Sequence, residues 1–221
     1  MLAHSRRNAL LQTALAMNRV ELNQGTSGNL SLRLEDEFLI TPSALAYDRC
    51  TTADLVRLDM KGRVTAGTRR PSSEWRIHRD IYRHRPEAGA ILHAHPPWCT
   101  TLACLQRDIP PCHYMVAVAG GNSISCAPYA LFGSRQLSEN VLAALGQGRR
   151  ACLLAHHGMV CFADGLEEVL SLAIEVENLA RVYIQALQVG EVPLLSVGEM
   201  EAVMEQFADY KDPDRWGIEE E

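Results

Sequence analysis

Apolar positions along the chain fall into two periods. Residues 5–20 carry Leu10, Leu11, Leu15 and Met17 among good helix formers, the spacing of an amphipathic helix. Residues 30–34 alternate Leu-Ser-Leu-Arg-Leu, as a half-buried strand does, and the acidic turn after them leads to Phe38, Leu39 and Ile40, so a hairpin is expected. A third strand is read over 55–58, turning at Lys61-Gly62, then a helix over 73–84 that opens with Ser72 or Ser73 as N-cap. Residues 90–95 form a strand without a polar residue before its histidines, which suits burial on both faces. A short helix is read over 98–105. The stretch 109–132 is irregular, with short strands near 115–118 and 123–127. Further on come a helix over 137–145, a strand over 151–154 with its continuation or partner over 159–162, a long helix over 166–187 and a last one over 197–207. No repeat or linker interrupts this order, so the expectation is one domain over 1–221. Its fold class is α/β of the α+β type, a three-layer α/β/α arrangement around a largely antiparallel sheet.

Bulk composition narrows the function. The 221 residues are 47% hydrophobic, ample for a core, and the net charge of −6 with no basic block argues against a nucleic-acid surface. No apolar run reaches membrane-spanning length, and the N-terminus has no signal-peptide core. The seven cysteines are scattered, without a Cys-x-x-Cys, and several sit in apolar runs (Cys126, Cys152, Cys161). Buried free thiols in a reducing compartment are therefore expected, and with them a soluble cytoplasmic protein.

Candidate chemistry sits where apolar runs end. His93 and His95 leave their strand from the same face, and neutral imidazole is a common ligand for divalent transition metals. His-x-His alone equally suits two hydrogen-bonded histidines. A second apolar run ends in His156-His157-Gly158, and Glu74 stands in the first turn of the helix after Pro71-Ser72-Ser73. Three imidazoles and one carboxylate complete a zinc shell, and a carboxylate that can leave opens the site and becomes a base. Three loops of small polar residues, 25–29, 41–44 and 72–73, could cradle an anion on backbone N–H groups and hydroxyls. Each alone reads equally as a turn or a cap. No Walker-type sequence points to a nucleotide.

Taken together, the stretches 23–31, 40–42, 71–76, 93–95 and 156–158 resemble the class II aldolase/adducin family. The likeness continues through His113-Tyr114-Met115, residues 119–124, Cys126-Ala127-Pro128-Tyr129 and Leu137-Ser138-Glu139, and covers nearly the whole chain. The resemblance implies one Zn2+ per subunit held by Glu74, His93, His95 and His157, the histidine directly before glycine, with His156 as its hydrogen-bonding neighbour. It places a substrate phosphate on Gly28, Asn29, Ser43, Ala44, Ser72 and Ser73. Relatives usually carry Thr-Gly where this chain has Ser43-Ala44, so a hydroxyl is kept but the loop is less permissive. Phe132 and Tyr210 would line the aldehyde side, with Tyr114 and Tyr210 reaching in from a neighbouring subunit of a homotetramer.

The implied activity is reversible cleavage of L-fuculose 1-phosphate, or a similar ketose 1-phosphate, to dihydroxyacetone phosphate and L-lactaldehyde. Glu74 and Tyr114 would be the catalytic groups, Glu74 for the C3 proton and Tyr114 for the C4 oxygen. Zinc acting as Lewis acid makes a lysine Schiff base unnecessary, in keeping with a lysine-poor chain. The alternatives within the fold are a 5-deoxyribulose 1-phosphate aldolase and a methylthioribulose-phosphate dehydratase. A pentulose-phosphate epimerase is disfavoured because its pattern carries Asp where Glu74 stands. An adducin-like interaction module is disfavoured because all four metal residues are present.

Overall fold

A computed structural model describes residues 2–210. The expected hairpin is β1 (Asn29–Leu34) against β2 (Glu37–Ile40), closed where Leu34 faces Glu37. Next to β2 runs β3 (Val56–Asp59), and at the sheet edge β4 (Val64–Ala66), antiparallel to β3. The sequence reading ended that hairpin at its turn and had no β4. Three residues, two of them exposed, are too few for an alternation to register.

On the other side of β1 lies β5 (Ala90–Ala94), buried along its whole length as its unbroken apolar run requires. It pairs with β8 (Gly158–Ala163), which pairs in turn with β7 (Ala151–Leu154), so 159–162 belongs to a partner strand and not to a continuation. The sheet order is β4-β3-β2-β1-β5-β8-β7-β6, antiparallel except where β6 (Cys126–Ala127) runs parallel to β7. Within the irregular stretch, the expected strand at 123–127 contracts to β6 and one bridge between Ile109 and Ile124. The expected strand at 115–118 is instead a 3-10 helix, Tyr114–Ala119. There the His113 ring accepts the Met115 N–H, a local cap that competes with strand pairing.

Two apolar clusters cover the two faces of the sheet. On one, α2 (Trp75–His84) and α4 (Arg135–Leu145) lay Ile77, Ile81, Leu137 and Val141 against Ile91 and Phe162. On the other, α1 (Leu2–Arg19), α3 (Pro97–Cys104) and α5 (Leu166–Val189) bury Leu10, Leu102 and Val176 with Leu92 and Leu153, and α6 (Val197–Tyr210) adds Met200. The result is the three-layer α/β/α arrangement the periodicities indicated.

All seven cysteines are free, but not all are buried. Cys50, Cys99, Cys152 and Cys161 are, whereas Cys112 and Cys126 are half-buried and Cys104 is exposed. Cys126 lies in the two-residue strand β6, which leaves its thiol only partly covered. Among the described residues, no helix is long and apolar enough to cross a membrane.

Candidate active site

Strand register brings the candidate ligands together. His93 lies on β5 opposite Asn29 of β1, and His95 follows just past the end of β5. His157 sits in the tight turn from β7 to β8. That turn demands its glycine, because a Cβ on Gly158 would stand 2.4 Å from the Ala94 carbonyl oxygen and 2.8 Å from the His95 ring. His156 just before it takes a left-handed φ of 56°. Glu74 immediately precedes α2. The N-cap lies one or two residues beyond the expected serines: Ser72 Oγ accepts the Glu74 N–H at 3.2 Å, and Glu74 occupies the N-cap position without a side-chain cap bond. Its carboxylate instead turns inward to the histidines.

The three rings form a triangle with centroids 4.8 Å apart on every side. His93 Nε2 is 2.9 Å from His95 Nε2 and 2.9 Å from Glu74 Oε2, and His157 Nε2 is 3.4 Å from Glu74 Oε1. One ligand atom from each of the four residues lies within 4.8 Å of every other. His93 Nδ1 lies 2.8 Å from the Met159 carbonyl and must carry a hydrogen there, so Nε2 is the nitrogen turned to Glu74 and the one that offers a lone pair in the neutral ring.

A cation fits this donor set. A tetrahedral ion with bonds of about 2.0–2.1 Å has ligand edges of roughly 3.3–3.4 Å, which fall inside the 2.9–4.8 Å range found here. Glu74 Oε1 is moreover a buried acceptor without a hydrogen-bond donor. Burial would raise the Glu74 carboxyl, but the charge and hydrogen bond of His93, with His157 and the Asn29 amide, hold it below the usual carboxylate range. His93 is raised: burial opposes its charge, but the Glu74 carboxylate and the Met159 carbonyl outweigh it. Burial, then the neighbouring imidazoles, push His95 down to about 3, and burial with His93 pushes His157 down to about 4, so both keep open lone pairs at neutral pH.

A cavity of about 400 Å³ opens over the cluster. Gly28, Asn29, Ser43, Ala44, Ser72 and Ser73 all line it, so the three polar loops, far apart in sequence, meet at one cavity. Gly28 has φ of 74°, and a Cβ there would strike the Asn23 amide, so that loop is closed to other residues. Ala44 takes φ of 56° in the second loop, the conformation glycine adopts without strain.

Phe132 also lines the cavity and is 62% exposed. Tyr114 does not line the cavity. It is 49% exposed, its ring stacked on Phe207 at 6.2 Å. Tyr210 ends α6, and its side chain lies outside the described residues. His156 does not support the adjacent ligand as expected. Its Nε2 accepts from the Gln106 amide at 3.0 Å, and its ring meets Tyr129 edge-on at the cavity rim.

Sequence reasoning missed Tyr129 and His156 on the cavity wall, and it missed how Asn29 is used. The Asn29 side chain is committed to Glu74 Oε2, at 3.1 Å, and to His78. One signal was available: Asn29 and Ser31 alternate onto one strand face, while Glu74 and His78 stand four apart on a helix start.

Comparison with known proteins gives the same picture. The sequence model of the Class II Aldolase and Adducin N-terminal domain matches residues 8–184. The chain is 48% identical over 206 residues to the 5-methylthioribulose-1-phosphate/5-deoxyribulose-1-phosphate aldolase of Rhodospirillum rubrum, covering 93% of this chain and 92% of that protein. It is also 48% identical over 202 residues to the L-fuculose phosphate aldolase of Escherichia coli K12, covering 91% and 93%. A solved structure of an L-fuculose 1-phosphate aldolase superposes with a TM-score of 0.88 at 37% identity, covering 91% of this chain and 95% of that one. Matched by the family over most of its length and sharing nearly half its residues with two aldolases, the chain belongs to the class II aldolase and adducin family and is one of its aldolases.

Proposed function

We propose that the protein is a zinc-dependent aldolase that reversibly cleaves L-fuculose 1-phosphate to dihydroxyacetone phosphate and L-lactaldehyde. The observation that carries this reading is the convergence of Glu74, His93, His95 and His157 at the floor of a cavity walled by the three polar loops. Three imidazoles and a carboxylate are a donor set suited to zinc. A bound zinc ion would supply Lewis acidity, stabilising the negative charge that C3–C4 cleavage leaves at C3 and that the C2 carbonyl oxygen takes up.

The remaining work falls to side chains and backbone. Backbone N–H groups at Gly28, Asn29 and Ala44, with the hydroxyls of Ser43, Ser72 and Ser73, hold the phosphate and fix the reacting end, so that binding becomes orientation. Glu74 takes the C3 proton of dihydroxyacetone phosphate in the condensation direction and returns it in cleavage. Its unbonded Oε1 supports that role. Tyr114, exposed and remote from its own cavity, exchanges a proton with the C4 oxygen at the site of a neighbouring subunit in a homotetramer. Phe132 contributes apolar surface on the aldehyde side, with Tyr210 from the partner.

A second reading rests on the equal 48% identity to the 5-methylthioribulose-1-phosphate/5-deoxyribulose-1-phosphate aldolase. All these ketose phosphates yield dihydroxyacetone phosphate and differ only in the aldehyde. The test is condensation of dihydroxyacetone phosphate with L-lactaldehyde, acetaldehyde and methylthioacetaldehyde, each with and without a chelator. The proposal expects the best kcat/KM with L-lactaldehyde and loss of turnover on metal removal. A preference for acetaldehyde or its methylthio analogue selects the second reading, and full turnover by stripped protein defeats both.

A further inference from the structure

From Glu74 and Asn29 a line of buried polar groups leads on to His78, Ser31 and Tyr82, three side chains that the proposed chemistry does not use. Tyr82 Oη lies 2.8 Å from Ser31 Oγ, and Ser31 Oγ lies 2.7 Å from His78 Nδ1. His78 Nε2 lies 2.5 Å from Asn29 Oδ1, and Asn29 Nδ2 donates to Glu74 Oε2 at 3.1 Å. His78 and Ser31 are fully buried, and Tyr82 nearly so.

The proton positions follow from the carboxylate end. Ionised Glu74 only accepts, so the Asn29 NH2 faces it and the Asn29 oxygen faces His78. His78 Nε2 must then carry a hydrogen. Burial, with His93 nearby, pushes His78 down to about 3, so the ring is neutral and Nδ1 holds a lone pair. Ser31 donates its one proton to that lone pair, which leaves Tyr82 as donor to Ser31. Burial raises the Tyr82 hydroxyl, keeping it protonated. Every bond in the line points toward Glu74, and hydrogen bonds aligned in one direction polarise one another. The far end is anchored as well. The Arg33 guanidinium lies 4.7 Å over the Tyr82 ring, and its Nη2 donates to the Tyr82 carbonyl.

We propose that His78 is a positioning residue for Glu74, acting through Asn29. It locks the Asn29 amide in one orientation, so that Glu74 Oε2 is tethered while Oε1 is left free toward His157 and the cavity. The turnover consequence rests on the aldolase reading above; the metal-holding consequence does not. Without His78, the Asn29 amide can turn over and the carboxylate loses its directed donor.

The test is a double-mutant cycle on the full-length protein, reading zinc affinity by competition with a chromophoric chelator and, separately, kcat and KM for L-fuculose 1-phosphate cleavage. His78→Phe should weaken zinc binding by about 10–100-fold, the range found when partners of metal ligands are removed, and lower kcat more than it changes KM. Asn29→Ala should cost a similar factor. In the Asn29→Ala background, His78→Phe should cost less than about threefold more, because the route through Asn29 is already cut.

Ser31→Ala removes only a hydroxyl. It should show a smaller loss, about tenfold, the lower end of that range, that also vanishes in the Asn29→Ala background; this arm decides the matter if His78→Phe fails to fold. Losses that multiply in the double variants, or a lowered Tm with unchanged zinc affinity, would make His78 merely structural and overturn the proposal. Coupling in zinc affinity in a protein that cleaves no ketose phosphate would sink the aldolase reading and leave this one standing.

Discussion

Glu74 Oε1 stands 3.4 Å from His157 Nε2 and accepts no hydrogen bond, whereas Oε2 of the same carboxylate meets both His93 Nε2 and the Asn29 amide. The two oxygens of one side chain thus have different environments. One accepts from the Asn29 amide and sits against the His93 ring, and the other faces the His157 imidazole without a donor. A carboxylate tethered at one oxygen can give up its other contact without losing its place, as a group that is first a ligand and then a base requires.

Substitution separates those two duties. Glu74→Gln keeps the size and one oxygen but not the basicity, so it should retain some zinc while kcat falls by about 10²–10⁴-fold, the usual contribution of a positioned base. His95→Ala removes one of three imidazoles and should empty the site, read as zinc per subunit by elemental analysis after dialysis. A Glu74→Gln enzyme with a nearly unchanged rate would show that the proton moves elsewhere.

Tyr114 is assigned to the C4 oxygen and takes no part in C3 proton removal. Tyr114→Phe should therefore slow condensation by about 10²-fold or more, the lower end for a proton-transfer group, while exchange of the C3 proton of dihydroxyacetone phosphate into deuterated water continues. Equal losses in both assays would remove that assignment. Because the ring is exposed and stacked on Phe207, the change should leave Tm within a degree or two.

Where local pattern dictated local structure, the sequence was readable. The apolar run before His93, the alternation at Leu30-Ser31-Leu32 and the long stripe of α5 each led to the element found, and the four candidate ligands do converge. Pairing across long separations was not readable. Nothing in Asn29 alone says that β1 lies beside β5 and turns its amide to a carboxylate 45 residues away. The 3-10 helix at Tyr114–Ala119 was misread as a strand because a short apolar run fits either, and the deciding contact is a side-chain cap from His113. His156 was read only as a neighbour of His157. Its left-handed backbone turns it to Gln106 and the cavity rim, an effect of the β7–β8 turn that residue types do not announce.

Ala44 tests the second loop. It is exposed and has φ of 56°, where a Cβ costs about 1–2 kcal/mol that glycine avoids. Ala44→Gly regains that strain but adds freedom to the unfolded chain, so a net gain of about 1 kcal/mol is expected. In a chain of this size that raises Tm by about 2–4 °C, measurable by calorimetry on the metal-free protein. A lower Tm would mean that the loop holds Ala44 without strain.

His78 also gives the metal-free protein a defined response to acid. Its ordinary value is 6.5 and the folded environment lowers it to about 3, by burial first and by His93 second. Between those two values the unfolded chain binds a proton at this ring and the folded chain does not. Falling pH therefore favours unfolding, by up to about 1.4 kcal/mol per pH unit from this one group, and the effect levels off below the folded value. Urea denaturation of chelator-treated protein from pH 7 to pH 4 should show stability declining with acid. His78→Gln, which cannot titrate, should decline with a slope shallower by about one proton. Parallel slopes for the two proteins would mean that His78 takes up its proton in the folded state, and the directed line of donors ending at Glu74 could not then exist as drawn.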